Sequence, residues 1–111
     1  INLDMPGNGT GIGMANGLSY PDLVSYFENA NKQYTQRLFV ATEKRPFYGR
    51  PRSDAGPFED AGVKTMSVFI TDPYKQGFYH LPQDTPETVT PEVMEDVAKL
   101  LYIGLLRMAD K

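Results

Sequence analysis

The sequence predicts an α/β fold, and three observations carry that expectation. Strand-like and helix-like segments alternate along the chain, which argues for a layered sheet with helices on its faces. The last twenty residues repeat apolar side chains at helical spacing. The chain has 111 residues, 41% of them hydrophobic, the size and composition of one small domain with a real core.

The elements follow in order. Ile1-Asn2-Leu3-Asp4-Met5 reads as a strand, with Asp4 on the side opposite Leu3 and Met5. Residues 6–18 are glycine-rich and read as a flexible surface loop. Ser19, with Asp22 three positions on and Pro21 between, resembles a capping box opening a helix. Leu23, Phe27, Ala30 and Tyr34 fall on one face of that helix. Arg37 to Thr42 alternates as a strand does. Glu43 to Arg52 holds Pro46, Gly49 and Pro51 and reads as loop. Pro57 to Gly62 fits one helical turn closed by Gly62, and Thr65 to Thr71 is an apolar, β-branched strand. Asp72 to Val89 is a loop of a length uncommon in compact domains, which makes it a functional suspect. Thr90-Pro91-Glu92 starts the final helix, whose expected buried stripe is Met94, Val97, Ala98, Leu101, Leu105 and Met108. A chain opening directly on a strand is expected to be a piece of a longer protein, its C-terminal portion spanning residues 1–111.

Composition removes several function classes. Eleven basic and 14 acidic residues give a net charge of −3. The basic residues form no cluster denser than Lys44-Arg45…Arg50…Arg52, too sparse for a nucleic-acid surface. Cysteine is absent, which excludes disulfides and thiolate metal sites. No apolar run approaches the roughly 20 residues of a membrane span. The glycine loop lies where phosphate loops occur, but its pattern fails. Counting G-x-G-x-x-G from Gly7, Gly9 or Gly11 places Ile12, Met14 or Asn16 at the third glycine. A phosphate loop also needs Gly-Lys-Ser/Thr, and the first lysine is Lys32.

Three places hold candidate chemistry. Asp4 is a carboxylate at the end of a strand, where an α/β sheet opens its ligand crevice. It is read either as a metal or catalytic group or as a structural hydrogen-bonding one. His80 is the lone histidine, in Tyr79-His80-Leu81-Pro82-Gln83-Asp84-Thr85. Neutral imidazole is the commonest protein metal ligand, and a loop can aim it into a cleft. Asp84 is placed to accept from a ring N–H. Ser53-Asp54 follows the proline-rich loop, where Asp54 suits a turn cap. Ser53 lacks the elbow of a serine nucleophile.

Together, Asn2-Leu3-Asp4-Met5, then Arg52-Ser53-Asp54 with Pro57-Phe58 and Ala61-Gly62-Val63, then Tyr79-His80 with Gln83-Asp84-Thr85, and then a closing amphipathic helix occur in a known order. The chain resembles the C-terminal part of the co-catalytic zinc aminopeptidases, a family that includes bacterial leucyl aminopeptidase and glutamate carboxypeptidase. Glutaminyl cyclase and the transferrin receptor are related to it. The resemblance implies a three-layer sandwich with a mixed central sheet. It implies two zinc ions, with Asp4 a ligand of one and His80 of the other, and a peptide substrate. It makes Ser53, Asp54 and Asp84 supporting residues and Met5, Phe69, Phe78 and Tyr79 candidates for a side-chain pocket suited to an apolar N-terminal residue.

The family's other ligands and its general base lie upstream of the Asn-Leu-Asp-Met strand, so the isolated chain is expected to be inactive and to hold no zinc tightly. Two positions depart from the family pattern: Ala55 stands where a larger residue often follows Ser-Asp, and Leu81 where Thr commonly follows the histidine. Tyr79 before His80 fits peptidases better than cyclases, which tend to have Trp there. The competing expectations are a metal-free scaffold of the transferrin-receptor kind and a single-zinc cyclase relative. Self-association through an unpaired strand edge is expected, as is a periplasmic or secreted location.

Overall fold

The computed structural model describes residues 1–43, 53–71 and 81–110. Among them, four strands form one sheet: β1 (Asn2–Leu3), β2 (Gly11–Ala15), β3 (Phe39–Ala41) and β4 (Ser67–Thr71), in the spatial order β1-β4-β2-β3. β1 runs parallel to β4, β4 antiparallel to β2, and β2 parallel to β3. The sheet is therefore mixed. The helices are α1 (Pro21–Ala30), α2 (Ala55–Asp60) and α3 (Pro91–Ala109).

β2 corrects the expected surface loop. Gly11, Ile12, Gly13 and Met14 are all buried, in the middle of the sheet. Two glycines in five residues hide the strand from any apolar alternation. Ile12 and Met14 nonetheless face the helices, and with Met66, Val68 and Ile70 they form the sheet's half of the core. Val24 and Phe27 of α1 and Val93, Val97, Leu100 and Leu101 of α3 supply the other half.

α1 starts one residue later than a Ser19 cap requires. Residues Gly17–Ser19 form a 3-10 turn, Tyr20 takes the cap position, and Pro21 and Asp22 fill the first turn. Ser19 does not cap, because its hydroxyl donates instead to Asn16 Oδ1 at 2.6 Å. Beyond Ala30 the helix widens into a single π turn over Asn31–Thr35, ended by Gln36 at φ 53°. The wider turn rotates Tyr34 out of the predicted buried face and puts Asn31 inside. Asn31 Nδ2 donates to the Arg37 carbonyl at 2.8 Å, and its Oδ1 accepts from Thr35 Oγ1 at 2.6 Å and from the Arg37 N–H at 3.1 Å. That side chain folds the chain back into β3. Arg37 then ties two more segments together, its Nε 2.6 Å from Asp96 of α3 and its Nη1 donating to the Thr10 carbonyl at 2.8 Å.

The final helix matches its expected span, but its buried face is turned. Val97 and Leu101 are buried as expected, whereas Met94, Ala98 and Leu105 are exposed and Val93, Leu100 and Gly104 are inside. Gly104 decides this. A Cβ there would overlap the Phe27 ring, so the glycine lets α1 and α3 approach and fixes which face of α3 meets them. Thr90 holds the cap position without a side-chain cap bond, and Pro91 occupies the first turn. Among the described residues no helix is long and apolar enough to cross a membrane.

Candidate functional site

β1 is shorter than the expected five-residue strand and lies at the sheet edge. Leu3 and Met5 are exposed rather than packed in the core, and so is Asp4. The alternation breaks at Met5, whose φ of 54° is left-handed. A non-glycine residue in that region is strained, and such strain collects at ligand sites.

The register shows what surrounds Asp4. Antiparallel pairing sets Gly13 opposite Phe69, Met14 opposite Val68 and Ala15 opposite Ser67. Directly paired residues share a sheet face, and successive residues alternate between faces. Met14 and Val68 face the helices, so Gly13, Ala15, Ser67 and Phe69 share the other face. Asn2 pairs with Ser67 and joins that face, its Nδ2 lying 3.4 Å from Ser67 Oγ. On this side the sheet borders a cleft of about 200 Å³. Asn2, Asp4 and Met5 line it from β1 and its continuation, Ala15 and Asn16 from the end of β2, Ser67, Val68 and Phe69 from β4, and Ser53 and Glu59 from α2 and its approach.

Four residues singled out from the sequence thus meet at one place: Asp4, Met5, Ser53 and Phe69. Asp54 occupies the cap position of α2, is exposed and makes no side-chain cap bond; it does not line the cleft. Asp84 is exposed in a turn closed by its own N–H to the Leu81 carbonyl at 3.0 Å, and it too lies away from the cleft. His80, Tyr79 and Phe78 lie outside the described residues.

Glu59 is the carboxylate that sequence reasoning missed. A glutamate on a short polar turn carries no signal of its own. The helical turn was expected to start at Pro57; it starts at Ala55 and ends at Asp60, with Gly62 at φ 83° just beyond. That start puts Glu59 on the same face as buried Ala55 and Gly56, one turn along, and so toward the sheet. Its Oε1 accepts from Thr65 Oγ1 at 2.7 Å. The Thr65 carbonyl in turn accepts from Asn16 Nδ2 at 2.9 Å. Asn16 is buried and left-handed at φ 65°. This relay ties the end of β2, the approach to β4 and α2 into one cleft wall.

Comparison with known proteins agrees with this architecture. The model of peptidase family M28 matches residues 1–103. The chain belongs to peptidase family M28. A zinc aminopeptidase from Bacillus subtilis has the same fold: its crystal structure superposes with a TM-score of 0.77 at 20% sequence identity, covering 96% of this chain. The chain spans 27% of the length of that protein. A search of curated proteins finds no match. The α/β class and mixed sheet expected from the sequence are those observed, and the Bacillus enzyme shares the fold.

The M28 family implies zinc. Asp4, an exposed carboxylate lining a cleft, suits the oxygen donor that zinc accepts. Among the described residues, no group of three or more His, Cys, Asp or Glu side chains could hold a metal ion.

Proposed function

We propose that this chain contributes one wall of the active site of a zinc-dependent aminopeptidase that removes N-terminal residues from peptides. The observation that carries the reading is the convergence of Asp4, Met5, Ser53 and Phe69 on one cleft in a chain of the M28 family. Asp4 would hold one zinc ion and His80 the other. Bound zinc polarises a peptide carbonyl and lowers the pKa of an attacking water. This chain's own residues shape the cleft. Met5 and Phe69 offer apolar surface to the substrate's first side chain, with Phe78 and Tyr79 proposed to extend it. The Asn16–Thr65–Glu59 relay keeps the opposite wall in place.

A catalytic zinc takes three protein ligands and an open position. One carboxylate and one imidazole on separate ions do not meet that requirement. The general base is proposed to lie outside this chain. The 111-residue chain alone is therefore expected to show no hydrolysis of leucine p-nitroanilide with zinc supplied, and turnover by it would overturn this division of roles.

The test uses the full-length protein that carries this chain. Zinc content and anilide hydrolysis are measured for the wild type, Asp4→Ala and His80→Ala. Loss of groups that merely orient ligands costs about 10–100-fold, so loss of a ligand is expected to exceed about 100-fold in kcat/KM, with zinc content falling alongside. A folded wild-type protein that binds no zinc and cleaves no aminoacyl anilide would favour the metal-free scaffold instead. Cyclisation of an N-terminal glutamine without peptide cleavage would favour the cyclase relative.

A further inference from the structure

We propose that Gly13 sets the size of the pocket for the substrate's first side chain, acting through the Phe69 ring; this rests on the aminopeptidase reading above. The register brings the parts together. Phe69 stands directly opposite Gly13 on the neighbouring strand β2. On its other side β1 runs parallel, with Leu3 beside Val68, so Asp4 follows at the level of Phe69. Phe69 is therefore flanked by Gly13 on one side and by the carboxylate of the cleft on the other.

The ring lies over β2. A Cβ built on Gly13 would stand 2.5 Å from both Cε1 and Cε2 of Phe69, with Cζ closer still. Ordinary contact begins at 3.4 Å, so no side chain at position 13 is compatible with this ring position. The missing side chain lets the ring sit back on the strand. The space on the Asp4 side, bounded by Phe69, Val68 and Met5, stays open as the cleft. Phe69 and Met5 give an apolar surface matched to a side chain of the leucine or phenylalanine class. A methyl group at position 13 must push the ring about an ångström or more off β2. Moving away from β2 takes it toward β1 and Asp4, into the volume the substrate needs. Gly13 is buried behind the ring and is a positioning residue.

The experiment compares kcat/KM for leucine and alanine p-nitroanilides in the full-length protein. Gly13→Ala is expected to lower the leucine-to-alanine ratio about tenfold, mainly through KM, because one methylene of misfit in an apolar pocket is worth about that much. Zinc content should be unchanged. Phe69→Ala should raise the preference for phenylalanine over leucine anilide. The double variant Gly13→Ala/Phe69→Ala should match Phe69→Ala, because the methyl has no ring left to displace. An equal fall for both substrates, or a Gly13→Ala effect that persists without the ring, would overturn the assignment. Where Gly13→Ala does not fold, Phe69→Ala decides alone, and an unchanged preference overturns it. A wild type active on both anilides with these negative results removes only the role of Gly13. A wild type inert toward both removes the aminopeptidase reading and this inference with it.

Discussion

On β2 and β4 the residues facing the helices are Ile12, Met14, Val68 and Ile70, none more than 4% exposed. Their neighbours in the chain, turned the other way, are Gly11, Gly13, Ala15, Ser67, Phe69 and Thr71. The same strands thus present large aliphatic side chains on one face and mostly small or polar ones on the other. The helix-covered face derives its stability from volume, since close-packed aliphatic groups both leave water and touch one another. The other face is useful because volume is missing. Small residues leave room for one ring, one carboxylate and a cleft. One side of the sheet thus carries the core and the other borders the cleft, with the pleat as the partition.

Substitutions on the two faces should therefore have different consequences. The largest loss is expected for Phe27→Ala, which empties the contact between α1, α3 and the sheet. About 3–5 kcal/mol of stability should go, read from urea denaturation. A loss under about 1 kcal/mol would mean that the covered face is not the core. Asn16→Ala comes next. It strands the carbonyl of buried Thr65, a cost of about 1–3 kcal/mol, and removes the Ser19 hydroxyl's partner. Because the same relay reaches Glu59, this variant should also weaken substrate binding, which Phe27→Ala at permissive temperature should not.

Ser67→Ala, on the open face beside buried Val68, should change stability by no more than about 0.5 kcal/mol. A larger loss would show that the open face carries packing after all. The smallest effect on stability is expected for Leu38→Lys, next to the outer edge of β3. Among the described residues β3 pairs only with β2, and Leu38 is 69% exposed, with Leu18 and Val40 exposed nearby. We propose that the isolated chain self-associates along this edge, and a lysine there should return it to a monomer. Light scattering of the unsubstituted chain at high concentration decides the point. A clean monomer would remove the proposal.

Part of this arrangement was legible in the sequence. β4 and α3 carry enough β-branched or helically spaced apolar residues to be read directly, and Gly62 marks the end of α2. β2 was not legible. A strand is recognised by what alternates along it, and this one alternates glycine with apolar residues because its partner Phe69 occupies the glycine side. The face of α3 was misjudged for a related reason. Met94, Tyr102, Leu105 and Leu106 are apolar and exposed beside the buried set, so spacing alone leaves several faces open. The contact of Gly104 with Phe27 selects one of them. Glu59 was overlooked because its role comes from where α2 starts, two residues before the proline that was expected to open it.

Local chemistry thus determined most of the elements and their order, β2 excepted, and the motif that places the chain in its family. Those features depend on neighbours a few residues apart, and the sequence states them outright. Which residues share the cleft was decided only in three dimensions. Asp4, Asn16, Ser53 and Phe69 lie 12 or more residues apart in the chain, and strand register with the docking of α2 brings them to one cleft. Register is a non-local choice, set by which faces can be buried together, and no stretch of the chain records it by itself.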